Sequence, residues 1–279
     1  MAAISYDPPE ILAEFSRRRG ITFPLLSDSD SATIKAYGIL NTVAEEVLSS
    51  GKDDPVVIAD FNKYASVTGL NAASLVKGTP YPGTFIVDRQ GRVTSRFFEE
   101  FYRERITAST IMMKLGAASA PVQATKISAG HVDITTYPSD PVVAPGNRFA
   151  LAVNVMPAQH VHVYAPGAEG YRTVKLGMAD QPYVRFLPLA YPPSEIYFFK
   201  PLNERVPVYQ RPFTLLQEVV LEVSPQAAKV LAGRTELNLS GSLQYQACDE
   251  KECFNPVSVP LSWTLKLTPN ITERIRTSR

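Results

Sequence analysis

Cysteine is nearly absent from this chain. Of 279 residues only Cys248 and Cys253 carry a sulfhydryl, so any redox chemistry of its own lies between those two sulfurs. Long apolar runs are missing too. The longest uncharged apolar stretches, such as Phe149 to Val155, fall far short of the roughly 20 residues that a membrane helix needs. Charge of one sign is lacking, with 28 Lys and Arg against 27 Asp and Glu. That balance excludes a sequence-wide attraction to nucleic acid or to an anionic membrane, and partners have to be recognised locally. The opening residues MAAISYDPPE have neither the basic nor the apolar region of a secretory signal, which read literally describes a soluble cytosolic protein. No Ser-His-Asp order, phosphate-binding glycine loop or paired acid site stands out. Proline, by contrast, is abundant at 23 residues, which favours loops, edge strands and β-domains over a helical bundle. The 45% apolar and 20% charged content fits a folded protein, long enough for one large domain or two ordinary ones.

The first part reads as α/β. Ala2 to Tyr6 resembles the end of a buried strand. Asp7-Pro8-Pro9-Glu10 then predicts a helix start, with Asp7 as N-cap and Glu10 closing a capping box. Ile11, Leu12 and Phe15 give that helix an apolar face and Gly20 stops it. Phe23 to Leu26 leads into Ser27-Asp28-Ser29-Asp30, a second cap cluster, and a helix through Ile34 and Tyr37 to Gly38. Residues 41 to 80 read as a mixed insertion with a helix near Phe61 to Ala65. Thr84 to Val87, a turn at Asp88 to Gly91, and Val93 to Phe97 predict a hairpin. A helix from Glu104 to Leu115 ending at Gly116 completes a domain over residues 1–116. The small, Pro-containing segment GAASAPVQAT marks a linker over 117–126.

Residues 127–268 read as all β, followed by a polar tail at 269–279. Phe149, Leu151, Val153 and Val155; Leu237, Leu239, Leu243, Tyr245 and Ala247; and Val257 through Leu267 each alternate with polar neighbours. That period marks half-buried antiparallel strands and suggests a β-sandwich. Cys248 and Cys253 fall between the two clearest strands, at a hairpin tip. Four intervening residues are enough for their α-carbons to reach disulfide distance. Spacing alone leaves three readings open: a redox-active pair, a structural staple, or two unpaired thiols. The intervening Asp249, Glu250 and Glu252 outweigh Lys251. Their net negative charge disfavours a thiolate and suits a disulfide that is attacked by a partner and passes its electrons on.

Tyr245-Gln246-Ala247-Cys248, the four-residue loop, and Cys253-Phe254-Asn255-Pro256 resemble the active-site hairpin of the DsbD N-terminal domain family. His160 to Pro166 and Tyr191-Pro192 through Val208-Tyr209 are similar in layout. The resemblance implies an immunoglobulin-like sandwich in the bacterial periplasm that relays electrons through Cys248 and Cys253 to other thiol-disulfide proteins. Tyr245, Asp249, Glu250 and Phe254 then surround the redox loop, and Phe198 and Phe199 become candidates for the aromatic cap that shields it. Ile4 to Asp7, Gly20 to Asp28, Ala36 to Gly38, and Tyr81 to Asp88 with Gly91 to Val93 resemble the middle of a peroxiredoxin-type redoxin domain, the AhpC/TSA group of thioredoxin fold. This resemblance gives Pro82 the family's cis-proline position, where otherwise a trans turn proline is expected. That family carries its redox cysteine upstream of the segment that Ile4 to Asp7 resembles, and residues 1–247 hold no cysteine. Peroxide reduction by this half therefore lacks its nucleophile, and Met1 is expected to be internal to a longer reading frame.

The combined expectation is an incomplete α/β thioredoxin-like domain followed by an all-β immunoglobulin-like sandwich. Together they would act as a thiol-disulfide oxidoreductase of the redoxin or antioxidant class. Its electron donor and acceptor would be other thiol-disulfide proteins, with no cofactor, no metal, no nucleic acid and no membrane span. Two alternatives stand beside it: a non-catalytic binding or scaffold module with a structural disulfide, and a fragment of a longer peroxiredoxin-type antioxidant enzyme. Disulfide chemistry favours the periplasm or cell envelope although no signal is visible. Among weaker features, His160 and His162 read as sharing one strand face that could join a metal site, an exposed polar face being the default. His131 has no visible companion. Arg17-Arg18-Arg19 reads as a solvated helix C-terminus, and Glu99 through Arg105 as a charged helix surface.

Overall fold

The computed structural model describes residues 1–42, 78–99, 104–117, 123–199 and 203–268. The chain divides into two compact units, Met1–Tyr102 and Arg103–Arg279. The division precedes the 117–126 segment that the sequence marks as a linker.

In the first unit, β1 (Ala3–Ser5) pairs in parallel with β2 (Leu25–Ser27) through α1 (Pro9–Arg19). The N-cap of α1 is Pro8, in extended conformation, with Pro9 at the first helical position and no side-chain cap. Asp7 instead accepts a 2.6 Å hydrogen bond from the Ser5 hydroxyl, so the expected capping box is not formed. Proline at the start replaces it, because a missing N–H costs nothing where the helix has no partner for it. Gly20 closes α1 at φ 63°, and the three arginines sit in its last turn, where they complement the dipole. The Asp28 carboxylate caps α2 (Ala32–Ala36) by accepting from the Thr33 and Ile34 N–H groups at 3.0 and 2.8 Å. Gly83–Val87 (β3) and Val93–Phe98 (β4) form the expected hairpin. The Asp88 side chain accepts from the Gln90 and Arg92 N–H groups within its turn. Ile4 and Leu26 are exposed, so the first strand is not the buried one the sequence suggested. The expected helix near Phe61 to Ala65 lies outside the described residues.

The second unit begins earlier than the composition suggests. Arg105–Ile106 (β5) is a strand paired with Asn147 and Arg148, not the start of a helix. Thr107 caps the helix that follows, α3 (Ala108–Lys114), its hydroxyl accepting from the Thr110 N–H at 3.2 Å. Glu99 is buried and Glu104 pairs with Arg185, so Glu99, Glu104 and Arg105 do not form the expected helix surface; residues 100–103 lie outside the described residues. One sheet has the order β12 (Val184–Phe186), β15 (Phe213–Leu221), β9 (Asn147–Pro157), β7 (Val132–Pro138), β6 (Thr125–Ala129), with β5 also on β9. A second runs β11 (Lys175–Met178), β16 (Glu236–Tyr245), β18 (Val257–Leu267), β8 (Val142–Val143). Phe149, Leu151, Leu215 and Val219 of the first sheet share one core with Leu237, Leu239, Trp263 and Leu265 of the second. This is the layering of a β-sandwich. The strict alternation of β16 and β18 reflects one buried face. β9 departs from half-burial: Ala150 and Ala152 on its other face are also fully buried, and α3 lies against this strand. Gly241 is required where β16 meets β11, because a Cβ there would approach the Gly177 carbonyl oxygen to 2.5 Å.

Candidate redox site

A third sheet of the second unit carries both cysteines' surroundings, in the order β13 (Glu195–Phe199), β14 (Glu204–Tyr209), β10 (His162–Tyr164), β17 (Ala247–Cys248). β16 ends at Tyr245, and the chain shifts sheets through Gln246 to pair β17 with β10, placing His162 opposite Cys248. Cys248 and Cys253 are joined by a disulfide with α-carbons 4.0 Å apart. Asp249 shapes the loop between them. Its carboxylate accepts from the Lys251 and Glu252 N–H groups at 2.7 and 2.8 Å, and those bonds hold its carboxyl below the usual range. The Phe254 N–H donates to the Ala247 carbonyl at 2.9 Å, and the Gln246 amide donates to the Phe254 carbonyl at 3.1 Å. The hairpin is therefore closed on both sides of the sulfurs.

The two sulfurs differ in environment. Cys248 is 1% exposed and belongs to a small cluster with Tyr164, Ala168, Val206 and Val208, flanked by Tyr171 and Tyr197. Cys253 is exposed. The Tyr164 hydroxyl donates to Cys253 Sγ at 3.4 Å; a disulfide sulfur has no proton, so the donor is the hydroxyl. Burial, the leading cause, pushes that phenol up to about 12, keeping it a donor at neutral pH. Tyr164 stacks on Tyr171 at 4.1 Å, and Tyr171 donates to Glu204 at 2.6 Å.

Several sequence-derived expectations need correction. The aromatic residue of β13 in the cysteine cluster is Tyr197. Phe198, on the opposite face by strand alternation, is exposed with Arg205 stacked over it at 5.7 Å. Phe199 shares Tyr197's face but ends the strand and is not in the cluster. Tyr245 packs in the main core, and its hydroxyl donates to the Ala129 carbonyl; burial pushes this phenol up to about 12. Glu250 is exposed at the loop tip. Phe254 stacks at 3.9 Å on His131, the companion that the sequence did not reveal. His131 follows Gly130, and both have positive φ in the two-residue β6–β7 turn, the geometry favoured by tight hairpins. An open groove of about 530 Å³ bordered by His131, Met156, Pro157 and Gln159 lies at this turn. His160 is in a turn at φ 63°, so it does not share a strand face with His162. His162 is buried at 4% exposure, 5.4 Å edge-on to Tyr164 and 4.6 Å from the Tyr197 ring. Among the described residues no group of His, Cys, Asp and Glu could hold a metal ion, and no helix is long and apolar enough to cross a membrane. The Tyr81–Pro82 peptide bond is trans, as is every other described one, so Pro82 lacks the cis geometry that the resemblance implies.

Tyr164, Tyr171 and Tyr197, and the place of His162 beside Cys248, are what sequence reasoning missed. The i, i+2 spacing of His162 and Tyr164 could have placed those two on one face. Nothing local could have brought Tyr171 or Tyr197 to the cysteines.

Residues 1–96 match the AhpC/TSA family and have its thioredoxin-like fold. No curated protein matches the chain. Among solved structures, the N-terminal periplasmic domain of ScsB from Proteus mirabilis is similar at 13% identity and a TM-score of 0.35. The similarity covers 49% of this chain and 49% of that one, so the chain spans about half the length of that structure.

Proposed function

We propose that the chain is a thiol-disulfide oxidoreductase that relays electrons through Cys248 and Cys253. The observation that carries the reading is the asymmetry of the disulfide, with one cysteine an exposed residue and the other buried among tyrosines and a histidine. An incoming thiolate needs a line of attack on one sulfur, and the other must leave. Exposure makes Cys253 the sulfur attacked. A donor protein's thiolate bonds to Cys253 Sγ, the Cys248–Cys253 bond breaks, and Cys248 leaves with the electron pair. A second donor thiol displaces Cys253, leaving a dithiol on this chain and a disulfide on the donor. The dithiol then reduces an acceptor protein's disulfide by the reverse sequence. Donor and acceptor are themselves thiol-disulfide proteins, and an oxidising envelope compartment such as the periplasm suits a resting disulfide. In this reading the second unit is an immunoglobulin-like sandwich presenting the hairpin. The redoxin-like residues 1–96, which have no cysteine, serve as a docking surface rather than a peroxidase.

The tight Asp249 turn and the burial of Cys248 favour one competing reading, a structural staple in a binding or scaffold module. A reduction potential separates the two. A relay is expected above about −300 mV and a staple below it, measured by equilibrating the full chain in dithiothreitol buffers. Single-cysteine variants test the order of attack: Cys248→Ser, which keeps Cys253, should react with an aromatic disulfide reagent about tenfold faster than Cys253→Ser, through access to the thiolate. Equal rates would refute the assignment of Cys253 as the entry point.

A further inference from the structure

We propose that His162 is the base that takes the proton from Cys248 when the reduced pair closes and releases its partner; this rests on the relay reading above. The placement is fixed by the backbone. His162 and Cys248 are directly opposed in the antiparallel pairing of β10 with β17, which puts their side chains on one face with β-carbons about 5 Å apart. Both are buried, at 4% and 1% exposure, so water is a poor proton acceptor for Cys248.

The neighbouring groups are unsuited to the task. Tyr164, on the same strand, holds its proton to about 12. Tyr197, from β13, presents a ring at 4.6 Å. Tyr171, whose phenol its hydrogen bond to Glu204 pushes up, occupies that carboxylate of β14. The Asp249 carboxyl is held low by the backbone N–H groups of its own loop, which makes it a weak base. His162 is itself shifted down by burial, with the Asp249 charge opposing, so its imidazole is neutral and ready to accept a proton at neutral pH.

The step balances as follows. Cys253 Sγ is bonded to the acceptor's sulfur, and Cys248 carries S–H. The proton moves to the imidazole, Cys248 Sγ attacks Cys253 Sγ, and the Cys248–Cys253 bond forms as the Cys253–acceptor bond breaks. The acceptor leaves as a thiolate and takes a proton from the imidazolium, directly or through water. This chain loses two electrons and the acceptor gains them. In the opposite direction the imidazolium returns a proton to Cys248 as it leaves, with the charge facing Asp249.

Dithiobis-nitrobenzoate separates the two half-steps on the reduced full chain. Attack by Cys253 releases one coloured thiolate at a rate set by reagent concentration. Closure by Cys248 releases a second in a first-order phase independent of it. The wild-type closure rate should fall with acid through a value below about pH 6.5, that of an ordinary histidine. In His162→Gln closure should slow about tenfold at pH 7 and follow thiol ionisation near about pH 8.5, with the first phase unchanged. An unchanged closure rate and profile in the variant overturns the proposal. Should the variant fail to fold, a wild-type profile that tracks only ionisation near about pH 8.5 overturns it equally. A wild type that never releases the second thiolate removes the relay itself, and the base with it.

Discussion

At the scale of single residues, the cysteine pair was legible because cysteine is so rare here and its four-residue spacing so short. Its wall was not. The sequence offers two adjacent phenylalanines, Phe198 and Phe199, but a strand turns alternate side chains to opposite faces. The phase of β13 is set by its pairing with β14, which gives Tyr197 to the cysteine cluster. Tyr164 is the wall residue whose polar atom reaches a sulfur, at 3.4 Å. In the dithiol state its hydroxyl can donate to a Cys253 thiolate, and a hydrogen bond to a charged group is worth about 1.5–3 kcal/mol. Tyr164→Phe should therefore raise the Cys253 thiol pKa by roughly one unit or more. Following the ultraviolet absorbance of the thiolate against pH in Cys248→Ser with and without the substitution reads this directly. Coincident titrations would mean that the hydroxyl does not stabilise the thiolate.

Elements were readable where burial is one-sided. β16 and β18 alternate strictly and were anticipated almost to their ends. β17 is two residues long and β10 three, too short for a period to mark them out as strands, and they position the disulfide. The same limit hid β5. Its partner in the sheet is β9, some forty residues on, and the adjoining helical pattern of α3 made the whole stretch read as one helix. α3 is tied to the sheet by Glu218, which receives Lys114 and, at 2.6 Å, Arg148. Burial raises the Glu218 carboxyl, but the Lys114 hydrogen bond and the Arg148 charge outweigh it and hold the group below its ordinary value of 4.5. A depressed folded-state value means stabilisation that is complete above the unfolded value and lost as pH falls through the folded one. Glu218→Gln should thus cost about 1–2 kcal/mol at pH 7. As pH falls through that lowered value the wild-type carboxyl is itself protonated, so the cost should shrink between pH 7 and an acid pH at which the chain is still folded. Urea unfolding at the two pH values checks both the size and the sign. An equal cost at both would mean that packing rather than charge anchors the helix.

For the molecule as a whole, the change from α/β to β was visible in the residue pattern, but its position was not. The segment 117–126 has a linker's composition, yet the compact units divide between Tyr102 and Arg103, because β5 and α3 find their partners in the second unit. The two units also differ in what they can do chemically. The first has a thioredoxin-like fold over residues 1–96 and no thiol; the second has its own continuous core from Val132 to Leu267 and both cysteines. A core of that kind needs no help from a neighbour to bury its strands. A chain of residues 103–279 should accordingly fold alone and unfold cooperatively. Every group placed around the disulfide, from His131 to Phe254, lies within it, so its reduction potential should stay within about 30 mV of the full chain, equivalent to roughly 1.4 kcal/mol. Circular dichroism melting and the dithiothreitol equilibration test the two halves of that statement separately. Cooperative folding with a larger potential shift would show that the redoxin-like unit tunes the disulfide. That result would give the thiol-free unit a part in the chemistry rather than in docking alone.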